Sequence, residues 1–361
     1  MTVKLSGIFA PMITNFRAGS EDLDLEAFGR NAAAHGAAGV GGLVICGSTG
    51  EAALLSEYER VAVLEQACTS AKEGSTILMG CGGESTRQTI QRAKDAKTAG
   101  AHAALVVAPH YYSNAMHEGA LRTHYTRVAD ASPIPVVLYN IPKYMHFKLS
   151  PALVAELAQH ENIIGIKDSS GDLELLGGYL AARGDGFTVL TGNGGQIHPA
   201  MKAGAKGGIV AVSIFGAELA VAIYEATARG DDATAQRLQD RMKPLAVTIV
   251  GELGVAGVKA AAELVGLSGG PVRGPLTDLD AAGRARVREL LVAGGLPVAL
   301  GALHAHLADG RRRWLVLFGS AWLLQSLANG YYLLFGAVLI ALWLAYFGTA
   351  AGRRRASIRI L

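Results

Sequence analysis

Cysteine is scarce in this chain: 361 residues contain three, Cys46, Cys68 and Cys81. An odd number without ligand-type spacing excludes a disulfide framework or a zinc module, and fits reduced thiols in a cytoplasmic protein. Aromatic residues make up 6% and charged residues 17%. Basic residues form no stripe, so nucleic-acid binding is not expected. The opening MTVKLSGIFAPMITNF lacks both a charged start and an uninterrupted apolar run, so no secretory leader is expected. A GxGxxG turn followed by an acidic partner is also missing, which argues against an open dinucleotide-binding sheet.

Half the residues are hydrophobic and 46 are glycine, an α/β composition. A short apolar run recurs eight times: 7–14 (GIFAPMIT), 42–46 (GLVIC), 76–81 (TILMGC), 104–108 (ALVVA), 135–139 (PVVLY), 163–167 (IIGIK), 188–191 (TVLT) and 208–212 (GIVAV). The runs are rich in Val, Ile and Leu without alternation, as strands buried on both faces are. Stretches with helical apolar spacing separate most of them, among them 56–71, 86–99 and 150–160. Ser56 and Ser150 stand as caps, the latter before Pro151 at a first helical position. Eight strand–helix units predict a closed (β/α)₈ TIM barrel over residues 1–216. Residues 217–296 predict a helical extension, with helices over 218–229, 232–250, 255–265 and 280–292.

Catalytic groups of such barrels sit where the strands end. The second strand ends in Gly47-Ser48-Thr49-Gly50-Glu51, the fifth in Tyr139-Asn140-Ile141-Pro142 and the sixth in Lys167-Asp168-Ser169-Ser170-Gly171. An apolar barrel mouth solvates an ammonium poorly, and the neutral amine is the form that attacks a carbonyl. Lys167 is therefore the candidate nucleophile; pairing with Asp168 is the structural alternative. Ser48 and Thr49 offer hydroxyls and backbone N–H groups suited to a small carboxylate. Glu51 is expected to open the next helix and complement its dipole. Tyr139 is a candidate proton relay, with core packing as its alternative. Tyr111 and Tyr112 are a similar case. His102, His110, His117 and His124 would fall on a strand, a loop and a helix, so a shared metal is not expected. Gly192-Asn193-Gly194-Gly195 is expected to shape the pocket rim.

Taken together, GSTGE, YNIP and GIKDSSGD in this order and spacing resemble the dihydrodipicolinate synthase / N-acetylneuraminate lyase superfamily over about residues 5–296. The stretches HYTRVADASPIPVVLYNIP and GGPVRGPLTDL look most like its 4-hydroxy-2-oxoglutarate aldolase and 2-keto-3-deoxy sugar-acid branches. The resemblance implies a class I aldolase in which Lys167 forms a Schiff base with pyruvate and Tyr139 relays protons. It implies that Ser48 and Thr49 hold the pyruvate carboxylate and that backbone at Val210 lines the pocket. It further implies that Tyr112 reaches a neighbouring subunit of a homodimer or homotetramer, and that neither metal nor organic cofactor is used. Members that make dihydrodipicolinate typically place an arginine two residues after the proline of YNxP; here that position is Tyr144. A hydroxy-2-oxo acid aldolase is therefore expected, with dihydrodipicolinate synthase or N-acetylneuraminate lyase activity as the alternative. A non-catalytic 2-oxo acid sensor at a membrane is the reading of another class.

Residues 297–361 have no counterpart in that resemblance. They carry seven Arg, no Lys and one acid, Asp309, which leaves the first 296 residues mildly acidic. Two nearly charge-free runs, 314–328 and 331–347, are divided by Asn329-Gly330 and flanked by Arg311–Arg313 and Arg353–Arg355. A hairpin turning at Asn329-Gly330 would keep both arginine clusters on the enzyme's side of a bilayer. The expectation is a cytoplasmic enzyme tethered to a membrane through residues 314–347; a misread or fused tail, or a hydrophobic arm buried in an oligomer, is the alternative.

Overall fold

The computed structural model describes residues 3–182 and 186–296. Strands and helices alternate: β1 (Gly7–Pro11), α1 (Leu25–Ala37), β2 (Gly42–Ile45), α2 (Glu57–Ser70), β3 (Thr76–Gly80), α3 (Thr86–Thr98), β4 (Ala103–Val107) and α4 (Glu118–Ala131). They continue with β5 (Val136–Asn140), α5 (Pro142–Met145), α6 (Pro151–Leu157), β6 (Ile163–Asp168), α7 (Leu173–Ala182), β7 (Thr188–Thr191), α8 (Ile197–Ala203) and β8 (Gly207–Ile209). Every strand pairs in parallel with its sequence neighbour, and β1 also pairs with β8 (Ile8 opposite Gly208), closing the barrel. The absence of alternation in the runs has its cause here: β1, β2 and β5 are buried along their whole length, by barrel interior on one side and helices on the other. Ser56 caps α2 with a reciprocal bond to Glu59, and Ser150 caps α6 ahead of Pro151.

Four more helices follow: α9 (Ala217–Ala228), α10 (Asp232–Pro244), α11 (Gly254–Leu264) and α12 (Ala281–Ala293). The helix expected over 232–250 changes character at Pro244, after which Leu245–Glu252 is a π-helix. Proline lacks the N–H that an α-helical ladder needs, and the wider turn accommodates its loss. The eighth strand is also shorter than its apolar run, since Ala211–Ile214 curls into a 3-10 turn. Among the described residues no helix is long and apolar enough to cross a membrane. The expected tail hairpin lies outside the described residues.

Candidate active site

The register of β5 and β6 sets the centre of the site. Tyr139 lies opposite Lys167 and Asn140 opposite Asp168. Side chains alternate along a strand, so Tyr139 and Lys167 share one face while Asn140 and Asp168 share the other. Lys167 and Tyr139 are each 5% exposed. The Lys167 Nζ stands 4.1 Å from the Tyr139 ring centroid, and among the described residues it has no hydrogen bond or ion pair. Asp168 does not neutralise it. That carboxylate accepts from Asn140 Nδ2 (2.7 Å), Ser170 Oγ (2.7 Å) and the Ser170 amide (3.1 Å). Burial raises the Asp168 carboxyl above the usual range, and these bonds oppose the shift.

At the end of β2 the chain makes two successive 3-10 turns, Ser48–Gly50 and Ala52–Leu54, joined by Glu51 in the left-handed region (φ 55°). Ser48 and Thr49 are half-buried, and among the described residues their hydroxyls have no hydrogen-bond partner. Glu51 precedes only the three-residue 3-10 turn Ala52–Leu54 and does not open α2, which begins at Glu57. Its carboxylate instead turns inward, to Lys259 Nζ at 2.5 Å and to the Arg273 amide at 2.9 Å.

A cavity of about 920 Å³ opens at this end of the barrel, bounded among others by Ser48, Tyr139, Ile141, Tyr144, Leu253 and Leu276. Lys167, Thr49 and Val210 do not line it; Lys167 stands against the ring of Tyr139, which does. The Val210 amide donates to Phe9 O and its carbonyl accepts from Ser213, so its backbone is engaged within the chain. Tyr144 occupies the position two residues after Pro142, while Lys143 Nζ donates to Gly251 O at 3.1 Å.

Tyr111 and Tyr112 are 77% and 70% exposed and meet edge to face at 5.0 Å. Their loop is docked by Glu84, whose carboxylate accepts from the His110 and Tyr111 amides. The four histidines have separate duties. His102 accepts from the Ile77 amide, His110 faces Glu84, His117 caps α4 and His124 meets Thr86 Oγ1.

Gly192 was expected only to shape the rim, and it does more. A β-carbon there would collide with the Ser169 side chain and stand 3.1 Å from Lys167 Cε, so the missing side chain gives the lysine its space. Lys259, a lone lysine in the apolar stretch VAGVKAAAELV, is the other residue that sequence reasoning passes over; that isolation is the signal it leaves.

Residues 4–293 match the model of the "Dihydrodipicolinate synthetase family". The chain belongs to that family. It is a class I aldolase-type enzyme, a carbon–carbon lyase. The 4-hydroxy-tetrahydrodipicolinate synthase of Methanospirillum hungatei is 37% identical over 288 residues, covering 79% of this chain and 98% of its own. That of Acidothermus cellulolyticus is 37% identical over 289 residues, covering 80% and 92%. Among solved structures, a prophage protein of the dihydrodipicolinic acid synthase family from E. coli K12, in complex with pyruvate, superposes with a TM-score of 0.76 at 31% identity, covering 81% of this chain and 99% of its own. The chloride-inhibited dihydrodipicolinate synthase from Acinetobacter baumannii, complexed with pyruvate, gives 0.77 at 29%, covering 81% and 100%. This dihydrodipicolinate synthetase family member thus extends past the family match, which ends before the arginine-flanked tail.

Proposed function

We propose that this enzyme joins pyruvate to an aldehyde through a Schiff base on Lys167, or runs the reverse cleavage. The observation that carries the reading is a buried lysine without an ion pair among the described residues, set against Tyr139 at the end of the barrel that also presents the free Ser48 and Thr49 hydroxyls. In this reading Ser48 and Thr49 receive the pyruvate carboxylate, and the Val210 backbone, bonded to Phe9 and Ser213, takes no part. The Lys167 amine attacks the C2 carbonyl, and loss of water leaves an iminium. Loss of a methyl proton then gives an enamine, whose carbon attacks the aldehyde carbonyl. Water releases the product and restores the free amine. Tyr139 passes protons at these steps. Tyr112, exposed on its loop, is proposed to reach the site of a second copy, which would make a homodimer or homotetramer the working unit.

For the second substrate, the names of the curated relatives favour condensation of the 4-hydroxy-tetrahydrodipicolinate synthase type, and aspartate semialdehyde is the aldehyde we propose for it. One specific observation favours hydroxy-2-oxo acid cleavage of the 2-keto-3-deoxy sugar-acid type, with an aldehyde half that carries no carboxylate, over both that condensation and cleavage of 4-hydroxy-2-oxoglutarate. Tyr144 stands where a guanidinium would grip a second carboxylate, and Lys143 is spent on Gly251 O. The experiment has two arms. Borohydride with pyruvate should inactivate the enzyme and leave a reduced pyruvate adduct on Lys167. Turnover is then compared for aspartate semialdehyde plus pyruvate, for N-acetylneuraminate, for 4-hydroxy-2-oxoglutarate and for a 2-keto-3-deoxy sugar acid. No adduct under conditions that trap a known family enzyme would sink the Schiff-base reading, while the panel decides between the substrates.

A further inference from the structure

We propose that Glu51 and Lys259 are positioning residues that fix the Ser48–Thr49 turn for the carboxylate of the 2-oxo acid. This rests on the reading of that turn as the carboxylate site.

The turn is short, bent and tethered on both sides. The Glu51 amide donates to Ser48 O (3.2 Å) and the Leu54 amide to Glu51 O (2.8 Å), so Glu51 joins the two 3-10 turns. Thr14 Oγ1 donates to Gly50 O (2.6 Å), which ties the turn to the segment after β1. The other tether is the Glu51 side chain, which is fully buried. One oxygen meets Lys259 Nζ at 2.5 Å and the other accepts the Arg273 amide at 2.9 Å. Lys259 also donates to Pro271 O (2.6 Å) and lies 4.5 Å from the Phe16 ring centroid. Arg273 lies 4.2 Å from the same ring, grips Glu59 through both guanidinium NH groups and donates to Leu54 O.

An ion pair this deep is costly to bury and gives no reason by itself for its retention. Its placement supplies one. Glu51 is two residues from Thr49, and Lys259 is on α11, whose leading segment Leu253–Ala256 walls the same cavity. The pair thus links the two hydroxyls to the extension that closes the cavity's other side. If either end is released, Ser48 and Thr49 lose the geometry that a small carboxylate requires.

The experiment uses the full chain and pyruvate as the probe, reading the pyruvate concentration that half-saturates borohydride trapping and the maximal trapping rate. Glu51→Gln and Lys259→Met should raise the half-saturating concentration about tenfold, with a smaller fall in the maximal rate. A merely structural role would lower the melting temperature and leave the half-saturation of the folded fraction unchanged. Glu51→Asp keeps the charge, suits the left-handed backbone and cannot span both partners. It avoids stranding a buried ammonium, and it should show the same rise if the other variants fail to fold. Lys259→Arg should restore part of the affinity lost in Lys259→Met. Any folded variant of Glu51 with wild-type half-saturation overturns the proposal. Failure of wild-type trapping instead overturns the Schiff-base reading, so the two failures are distinct.

Discussion

Lys167 and Lys259 are the same residue type in nearly the same circumstances. They are 5% and 2% exposed, and each ammonium lies over an aromatic ring, at 4.1 Å from Tyr139 and 4.5 Å from Phe16. What separates them is the company they keep. Lys259 has the Glu51 carboxylate and the Pro271 carbonyl; Lys167, among the described residues, has no ion pair and no hydrogen bond. At Lys259 burial pushes the ammonium towards neutrality and Glu51 opposes it. A buried cation is tolerated when its donors are occupied, and an amine with occupied donors is a poor nucleophile. One lysine is therefore built into the structure and the other is left available. Burial marks both, and pairing tells them apart.

The comparison breaks most visibly by deleting each amine. Lys167→Met should reduce turnover by at least about 10³-fold and abolish the borohydride adduct, because no other group replaces a covalent nucleophile. Its stability should change little, since no buried counter-charge is stranded. Lys259→Met should keep the adduct, at weakened pyruvate affinity, and lose stability. It leaves Glu51 buried and uncompensated, at about 3–5 kcal/mol, seen as a lower urea midpoint at unchanged slope. Were Lys167→Met the less stable variant and Lys259→Met the one without adduct, the assignment of roles would be inverted.

Much of this was legible beforehand, and the pattern of what was not is physical. Parallel strands covered on both faces write continuous apolar runs, so the barrel could be read directly. Lys167 and Tyr139 could be read as strand-end groups because position on a strand places them at the mouth. Glu51 could not. A carboxylate after a Gly-Ser-Thr-Gly turn reads as the start of a helix, and only the fold brings Lys259 to it from far along the chain. The break at Pro244 was written in the sequence, but the π-helix that absorbs it depends on packing against its neighbours. The space at Gly192 is invisible until β6 and the loop after β7 lie side by side.

A third buried nitrogen base sharpens the rule. Nδ1 of His124 meets Thr86 Oγ1 at 2.9 Å, while its Nε2 is buried without a partner among the described residues. Burial, helped by Arg127, pushes the His124 imidazole down to about 4. The folded value lies below the ordinary 6.5 of the unfolded chain, so on acidification the unfolded state takes up the proton first. Its contribution to stability is full above about pH 6.5 and is lost as the pH falls towards about 4, by about 3 kcal/mol. Urea midpoints across that range should decline steeply in the wild type and less steeply in His124→Gln. Equal slopes would place the titrating group elsewhere.

The smallest change tests the subtlest part of the contrast, the space around each lysine. Gly192→Ala puts a methyl against the Ser169 side chain and 3.1 Å from Lys167 Cε. Gly257→Ala, on α11 two residues before Lys259, puts one 2.6 Å from Ile249 O. Both overpack a tight contact and should cost about 1–3 kcal/mol of stability. Their effects on trapping should differ. At Gly192 the methyl displaces the stem of the nucleophile, so the maximal rate of adduct formation should drop about tenfold or more. At Gly257 it strains the helix carrying the paired lysine, and the loss should fall on stability and pyruvate affinity, with the maximal rate less affected. If Gly192→Ala trapped pyruvate at the wild-type rate, Lys167 would have slack that its packing against Gly192 does not suggest, and the glycine would not be what gives the lysine its space.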